Sequence, residues 1–140
     1  MVTVPRMSAP LPVQFAERRE FRLEPQPASV AEARRQVSAL AEPLVEESRM
    51  GDLQLVLSEV ISNAIRHGST TSPITLTVTP KPEFLCVQVT DAGSGLAPTP
   101  RATVPDEHGG WGFFLIEFLS RRWGMTREDR HTRVWFEFDF

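Results

Sequence analysis

SEVISNAIRHG, residues 58–68, is the stretch on which the reading of the whole chain turns. Val60, Ile61, Ala64 and Ile65 continue an apolar stripe begun by Leu53, Val56 and Leu57, at the spacing of one helix face. The stripe predicts a helix from about Asp52, a plausible cap, to His67. Gly68 is expected to end it in the left-handed conformation that glycine adopts cheaply. Glu59, Ser62, Asn63 and Arg66 share another side of the same helix, because positions three and four apart face one way. A polar row of this kind is what a solvated helix face looks like. It is also what a binding wall looks like. The neutral amide oxygen of Asn63 suits a Mg²⁺ ion whose other ligands are phosphate oxygens and water. The carboxylate of Glu59, one turn earlier, suits proton acceptance from an attacking hydroxyl.

The bulk of the sequence narrows the classes. With 140 residues, 41 % of them apolar, the chain has room for one domain with a real core. A net charge of −3 argues against non-specific nucleic-acid binding, which needs clustered Lys and Arg, so no direct nucleic-acid partner is expected. The one cysteine, Cys86, has no internal disulfide partner. No apolar run approaches the roughly 20 residues of a membrane span, and the first residues lack the apolar core of a signal peptide. A cytoplasmic protein without a membrane partner is the expectation.

Outward from the central helix, residues 1–18 are rich in Pro and small residues and read as a disordered or loosely attached tail, leaving 19–140 as the domain. REFRLEP (19–25) alternates Phe21 and Leu23 with charges, as a short edge strand does. A helix follows from near Ser29, read as its cap, with Glu32 three residues on as in a capping box. Val30, Ala33, Val37, Leu40 and Ala41 are its core face. ITLTVTP (74–80) and FLCVQVTD (84–91) read as two antiparallel strands. Residues 92–110, broken by Gly and Pro, read as a long loop of the kind that is usually functional or disordered. A helix is expected over 111–124, and a closing hairpin over 124–140 whose last strand alternates Val134, Phe136, Phe138 and Phe140. Strands joined by tight turns, with helices between, predict an α+β sandwich in two layers: a mixed, mostly antiparallel sheet covered by helices on one face.

Two further stretches carry chemistry. In DAGSGL (91–96), the period of the strand puts Asp91 on the same face as Leu85, Val87 and Val89. A turn explains Asp and Gly there. So does a ligand, because an acceptor-only carboxylate facing inward wants a donor such as the exocyclic amine of adenine. Gly93 and Gly95 would let backbone approach a base or sugar where a Cβ could not fit. In HGGWGFFLI (108–116), glycines open directly into a helix whose unpaired amides form a ready anion site, although a plain flexible linker has the same composition.

A helical ExxxN, a strand-ending DxGxG and a GGxG opening a helix across a long loop, in that order, resemble the GHKL superfamily of ATP-binding domains, whose fold is also called Bergerat. The resemblance covers roughly residues 19–140. LVLSEVISNAIRHG looks like the N box, DAGSG like the first glycine box and GGWG like the second. The form with NAxRHG and a terminal VWFEF looks like the anti-sigma-factor serine kinases of bacteria. The resemblance implies a serine/threonine kinase that uses ATP and Mg²⁺ to phosphorylate an anti-sigma-factor antagonist, binds a sigma factor, and forms a homodimer. The alternative it leaves open is a non-catalytic partner-binding module, ATP-gated or nucleotide-free, without transfer. By the same resemblance Glu59 is the general base and Asn63 the Mg²⁺ ligand. Asp91 takes the adenine amine, with Gly93, Gly95 and Leu96 shaping that pocket. Gly109, Gly110, Trp111, Gly112 and Phe113 lie around the phosphates. A histidine kinase is not the expectation, because the run upstream of the domain looks too short for its dimerisation helices. Two positions depart from the pattern. Trp111 stands where members often have Arg. Arg133 stands where many have a Thr supporting the Asp, with Thr132 one residue earlier. A one-residue shift reverses the face on a strand, so either a bulge restores the contact or it is lost.

Overall fold

In the computed structural model the described residues are 17–92, 111–128 and 130–140, with the side chains of 111–113 excepted. Among these residues five strands form one sheet: β1 (Arg19–Leu23), β2 (Ile74–Pro80), β3 (Phe84–Asp91), β4 (Arg122–Glu128) and β5 (His131–Asp139), in the order β1-β2-β3-β5-β4. Among the described residues three helices accompany it: α1 (Ala28–Ala41), α2 (Glu47–His67) and α3 (Trp111–Leu119). The α+β class is as expected, and the mostly antiparallel sheet is, among the described residues, antiparallel in all four pairings. Most of the tail and nearly all of the 92–110 loop lie outside the described residues, so those two expectations stand apart from the structure.

The core forms where period two in the strands meets period 3.6 in the helices. Leu76 and Val78 of β2, Leu85, Val87 and Val89 of β3, and Phe136 and Phe138 of β5 are buried on one sheet face. Against them lie Leu53, Val56, Leu57, Val60, Ile61 and Ala64 of α2, flanked by Ala33, Val37 and Ala41 of α1 and by Ile116 of α3. α2 packs on both other helices and on β3. The small residues of α1 let the two helices approach, and Arg34 and Gln54 tie them by hydrogen bonds to Ser58 and Ser38. The opposite sheet face carries Thr75, Thr79, Gln88, Thr90, Arg133 and Trp135 by the same alternation.

Four local expectations are corrected. α2 begins at Glu47, not near Asp52. Gly51, which resembles a break in the sequence, sits inside the helix in open space, while Met50 and Leu53 on either side pack against or within the core. A mid-helix glycine costs about 1 kcal/mol, less than that packing returns. Ser29 does not cap α1: Pro27 holds the cap position, and the Ser29 hydroxyl donates to the Glu24 carbonyl at 2.6 Å. Glu32, read as the partner in a capping box, instead accepts from Gln36. Gly68 is extended, with φ −90° and ψ −169°, not left-handed. Finally α3 stops at Leu119, because β4 starts at Arg122 opposite Glu137. Arg122 donates to both Glu137 carboxylate oxygens at 3.2 Å, and the Trp123 indole N–H donates to Glu117 at 2.8 Å, which fixes the chain reversal.

Candidate functional site

Asp91 is the last residue of β3 and completes the inward series Leu85, Val87, Val89, as its parity in the strand requires. Only 8 % of its surface is exposed. Among the described residues no side chain donates a hydrogen bond to its carboxylate, and no fully buried side-chain polar atom lacks a partner. The carboxylate oxygens therefore keep an opening to the outside of the core. Burial pushes the Asp91 carboxyl up to about 6, and the nearby charge of His131 draws it back only in part. An inward carboxylate with a raised pKa and an open side is a group that gains from a donor-bearing ligand.

Its neighbours come from three elements. Across the sheet Asp91 pairs with Thr132, which is also 8 % exposed. The β3–β5 register runs without interruption from Phe84–Asp139 to Asp91–Thr132. No bulge is needed: Thr132 shares the face of Phe136 and Phe138 and stands beside Asp91, whereas Arg133 pairs with Thr90 on the other face. There Arg133 lines a cavity of about 190 Å³ with Thr90, Thr126, Glu128 and His131, separate from Asp91. The inward row continues from Thr132 to Arg127 of β4, a cation that sequence reasoning did not single out. The third element is α2, whose end reaches the same point: a Cβ on Gly68 would lie 3.0 Å from Asp91 Cγ and Oδ1.

Back along α2, Asn63 and Glu59 are half-buried on the flank beside the core stripe. Helical rise places them about 8 and 14 Å from the Gly68 end. The Asn63 amide oxygen accepts a hydrogen bond from Arg66, one turn on, whose side chain is exposed. Among the described residues no group of three or more His, Cys, Asp or Glu could hold a metal ion by itself. A single amide oxygen fits Mg²⁺, which keeps several waters and takes phosphate oxygens, better than an ion needing a protein cage. Of the residues expected around the phosphates, Trp111, Gly112 and Phe113 open α3, in keeping with a helix N-terminus there. Gly93, Gly95, Leu96, Gly109 and Gly110 lie outside the described residues. Asp91, Thr132, Gly68, Asn63 and Glu59 are thus brought to one end of the sheet and one flank of α2. Among the described residues no helix is long and apolar enough to cross a membrane.

Solved structures share this fold. The RsbU and RsbW domains of Rv1364c from Mycobacterium tuberculosis superpose with a TM-score of 0.68 at 18 % identity, over 89 % of this chain and 32 % of that one. The chain thus spans about a third of that protein. The histidine kinase AdeS of Acinetobacter baumannii superposes with a TM-score of 0.53 at 14 % identity, over 90 % of this chain and 70 % of that one. No curated protein sequence matches the chain. The family described as the histidine kinase-like ATPase domain matches residues 23–138, from the last residue of β1 nearly to the end of β5, and the chain belongs to that family.

Proposed function

We propose that this ATPase domain binds ATP with Mg²⁺ and transfers the terminal phosphoryl group to a serine or threonine hydroxyl of a partner protein. In this reading it is an anti-sigma factor whose phosphorylation substrate is an anti-sigma-factor antagonist. The observation that carries the reading is the convergence of Asp91, Thr132 and the end of α2 at one point, with Asn63 and Glu59 receding from it along a single helix flank. A nucleotide lying along α2 would put its base at Asp91 and its phosphates toward Asn63 and Glu59. The resemblance of NAIRHG and VWFEF to the anti-sigma-factor kinases supports the choice of partner, and so does the fold likeness to a structure holding an RsbW domain.

Each side chain has a defined task. Asp91 accepts the adenine amine, while the carbonyl that guanine carries in that place would be repelled. The open flank at Asn63 lends its amide oxygen to Mg²⁺ once the exposed Arg66 side chain turns away. When bound, the ion neutralises charge on the phosphates. Glu59 takes the proton of the attacking hydroxyl. Phosphoryl transfer is chiefly positioning and charge neutralisation, so this short set suffices.

Calorimetry with ATP and Mg²⁺, followed by incubation of labelled ATP with antagonist proteins, tests the reading. Glu59→Ala is expected to keep ATP affinity and lose transfer. Transfer at an undiminished rate would remove Glu59 from the role of base. Nucleotide binding with no transfer to any partner would instead select the non-catalytic, nucleotide-gated module. Absence of binding at millimolar nucleotide would end both ATP-dependent readings.

A further inference from the structure

We propose that Gly68 is a positioning residue that fixes the Asp91 carboxylate and thereby sets selectivity for an exocyclic amine on the nucleotide base; the inference rests on the nucleotide reading above. Its backbone, φ −90° and ψ −169°, is open to any residue, so conformation does not call for glycine here. Space does. A Cβ at this position would lie 2.5 Å from the Ala64 carbonyl oxygen and 3.0 Å from both Cγ and Oδ1 of Asp91. Gly51, in the same helix, has nothing within 4 Å of such a Cβ. The Ala64 oxygen cannot retreat freely, because it accepts the Gly68 N–H at 2.9 Å and closes the last turn of α2. Across the sheet Asp91 pairs with the buried Thr132, so both side chains share this end of the core face. A methyl group at 68 therefore displaces the carboxylate from the place that the α2 terminus and β5 define for it.

The test compares ATP with purine riboside triphosphate, which differs by lacking the amine. Both are titrated calorimetrically, with Mg²⁺, into the wild-type chain, Gly68→Ala and the control Gly51→Ala. Wild type and the control should prefer ATP. Gly68→Ala should bind ATP about tenfold more weakly, the scale of one hydrogen bond to a charged acceptor, with purine riboside triphosphate unchanged. Equal loss for both nucleotides, or no loss, would overturn the inference while leaving the site reading intact. A wild type that does not distinguish the two nucleotides would overturn the Asp91–amine reading and this inference with it. If Gly68→Ala does not fold, the double variant Gly68→Ala/Asp91→Ala decides by thermal melting. Recovered folding supports the contact with Asp91. Failure to recover makes the Ala64 carbonyl the sole reason for glycine and overturns the proposal.

Discussion

The β3–β5 ladder begins and ends in different ways. At the Phe84–Asp139 end the molecule answers its own polar groups. Arg121 lies over the Phe84 ring at 4.6 Å and pairs with Asp139 at 3.4 Å. Arg49 lies over Phe138 at 4.5 Å and donates to the Asp139 carbonyl at 3.1 Å. At the other end Asp91 and Thr132 sit side by side on the core face, and among the described residues no side chain donates to Asp91. One ladder thus joins an end closed by its own side chains to an end with an acceptor held ready. A fold tolerates such an acceptor at the mouth of its core when a ligand supplies the missing donor.

The contrast breaks first at the closed end. Phe138→Ala removes a fully buried ring and should cost about 3–5 kcal/mol in urea unfolding, with nucleotide affinity of the folded fraction unchanged. Asp91→Ala should do the reverse. Nucleotide affinity should fall about 10- to 100-fold, on the scale of about 1.5–3 kcal/mol for a hydrogen bond to a charge, with no loss of stability at neutral pH. A large destabilisation by Asp91→Ala would mean that the carboxylate serves the fold and that the two ends are alike.

Much of this contrast is legible in the sequence, because it rests on parity. The alternation of Leu85, Val87 and Val89 already sends Asp91 inward, and that of Phe136 and Phe138 already sends Thr132 inward. The sequence leaves the contact open because Arg133 occupies the adjoining slot, and the register then turns Arg133 to the far face and Thr132 to the face of Asp91. The start of α2 is misplaced in the sequence because Asp52 has the chemistry of a cap, whereas tertiary packing carries the helix back through Gly51 to Glu47. The role of Gly68 could not be read at all. It depends on the approach of the α2 terminus to the end of β3, a contact between segments far apart in sequence.

The pH dependence of stability sharpens the same comparison by a smaller amount. Asp91 keeps its proton up to about pH 6 in the folded chain, against an ordinary value of 3.8. Between those values the native state binds more protons than the unfolded state, so ligand-free stability should fall as pH rises through this window and level out above 6. Solvent access to the carboxylate limits the loss to about 1 kcal/mol. Denaturant unfolding at a series of pH values, with Asp91→Asn as reference, isolates it, because the variant should lack this slope. ATP affinity should move the other way and strengthen as the carboxylate ionises. A slope shared by both proteins would assign the titration to another group.

The smallest effect belongs to Arg121. Its side chain is 39 % exposed, so its ion pair with Asp139 works largely in water, and its place over Phe84 adds a cation–π contact of similar size. Arg121→Ala should cost about 0.5–1 kcal/mol, with part of the loss already removed in wild type at high salt. Arg121→Lys should recover the ion pair and less of the planar stacking. Nucleotide affinity should not change in either variant, because the whole length of the ladder separates this end from Asp91. A weakened ATP affinity in Arg121→Ala would show that the ladder couples its ends, and the closed end would then be part of the site's support rather than its counterpart.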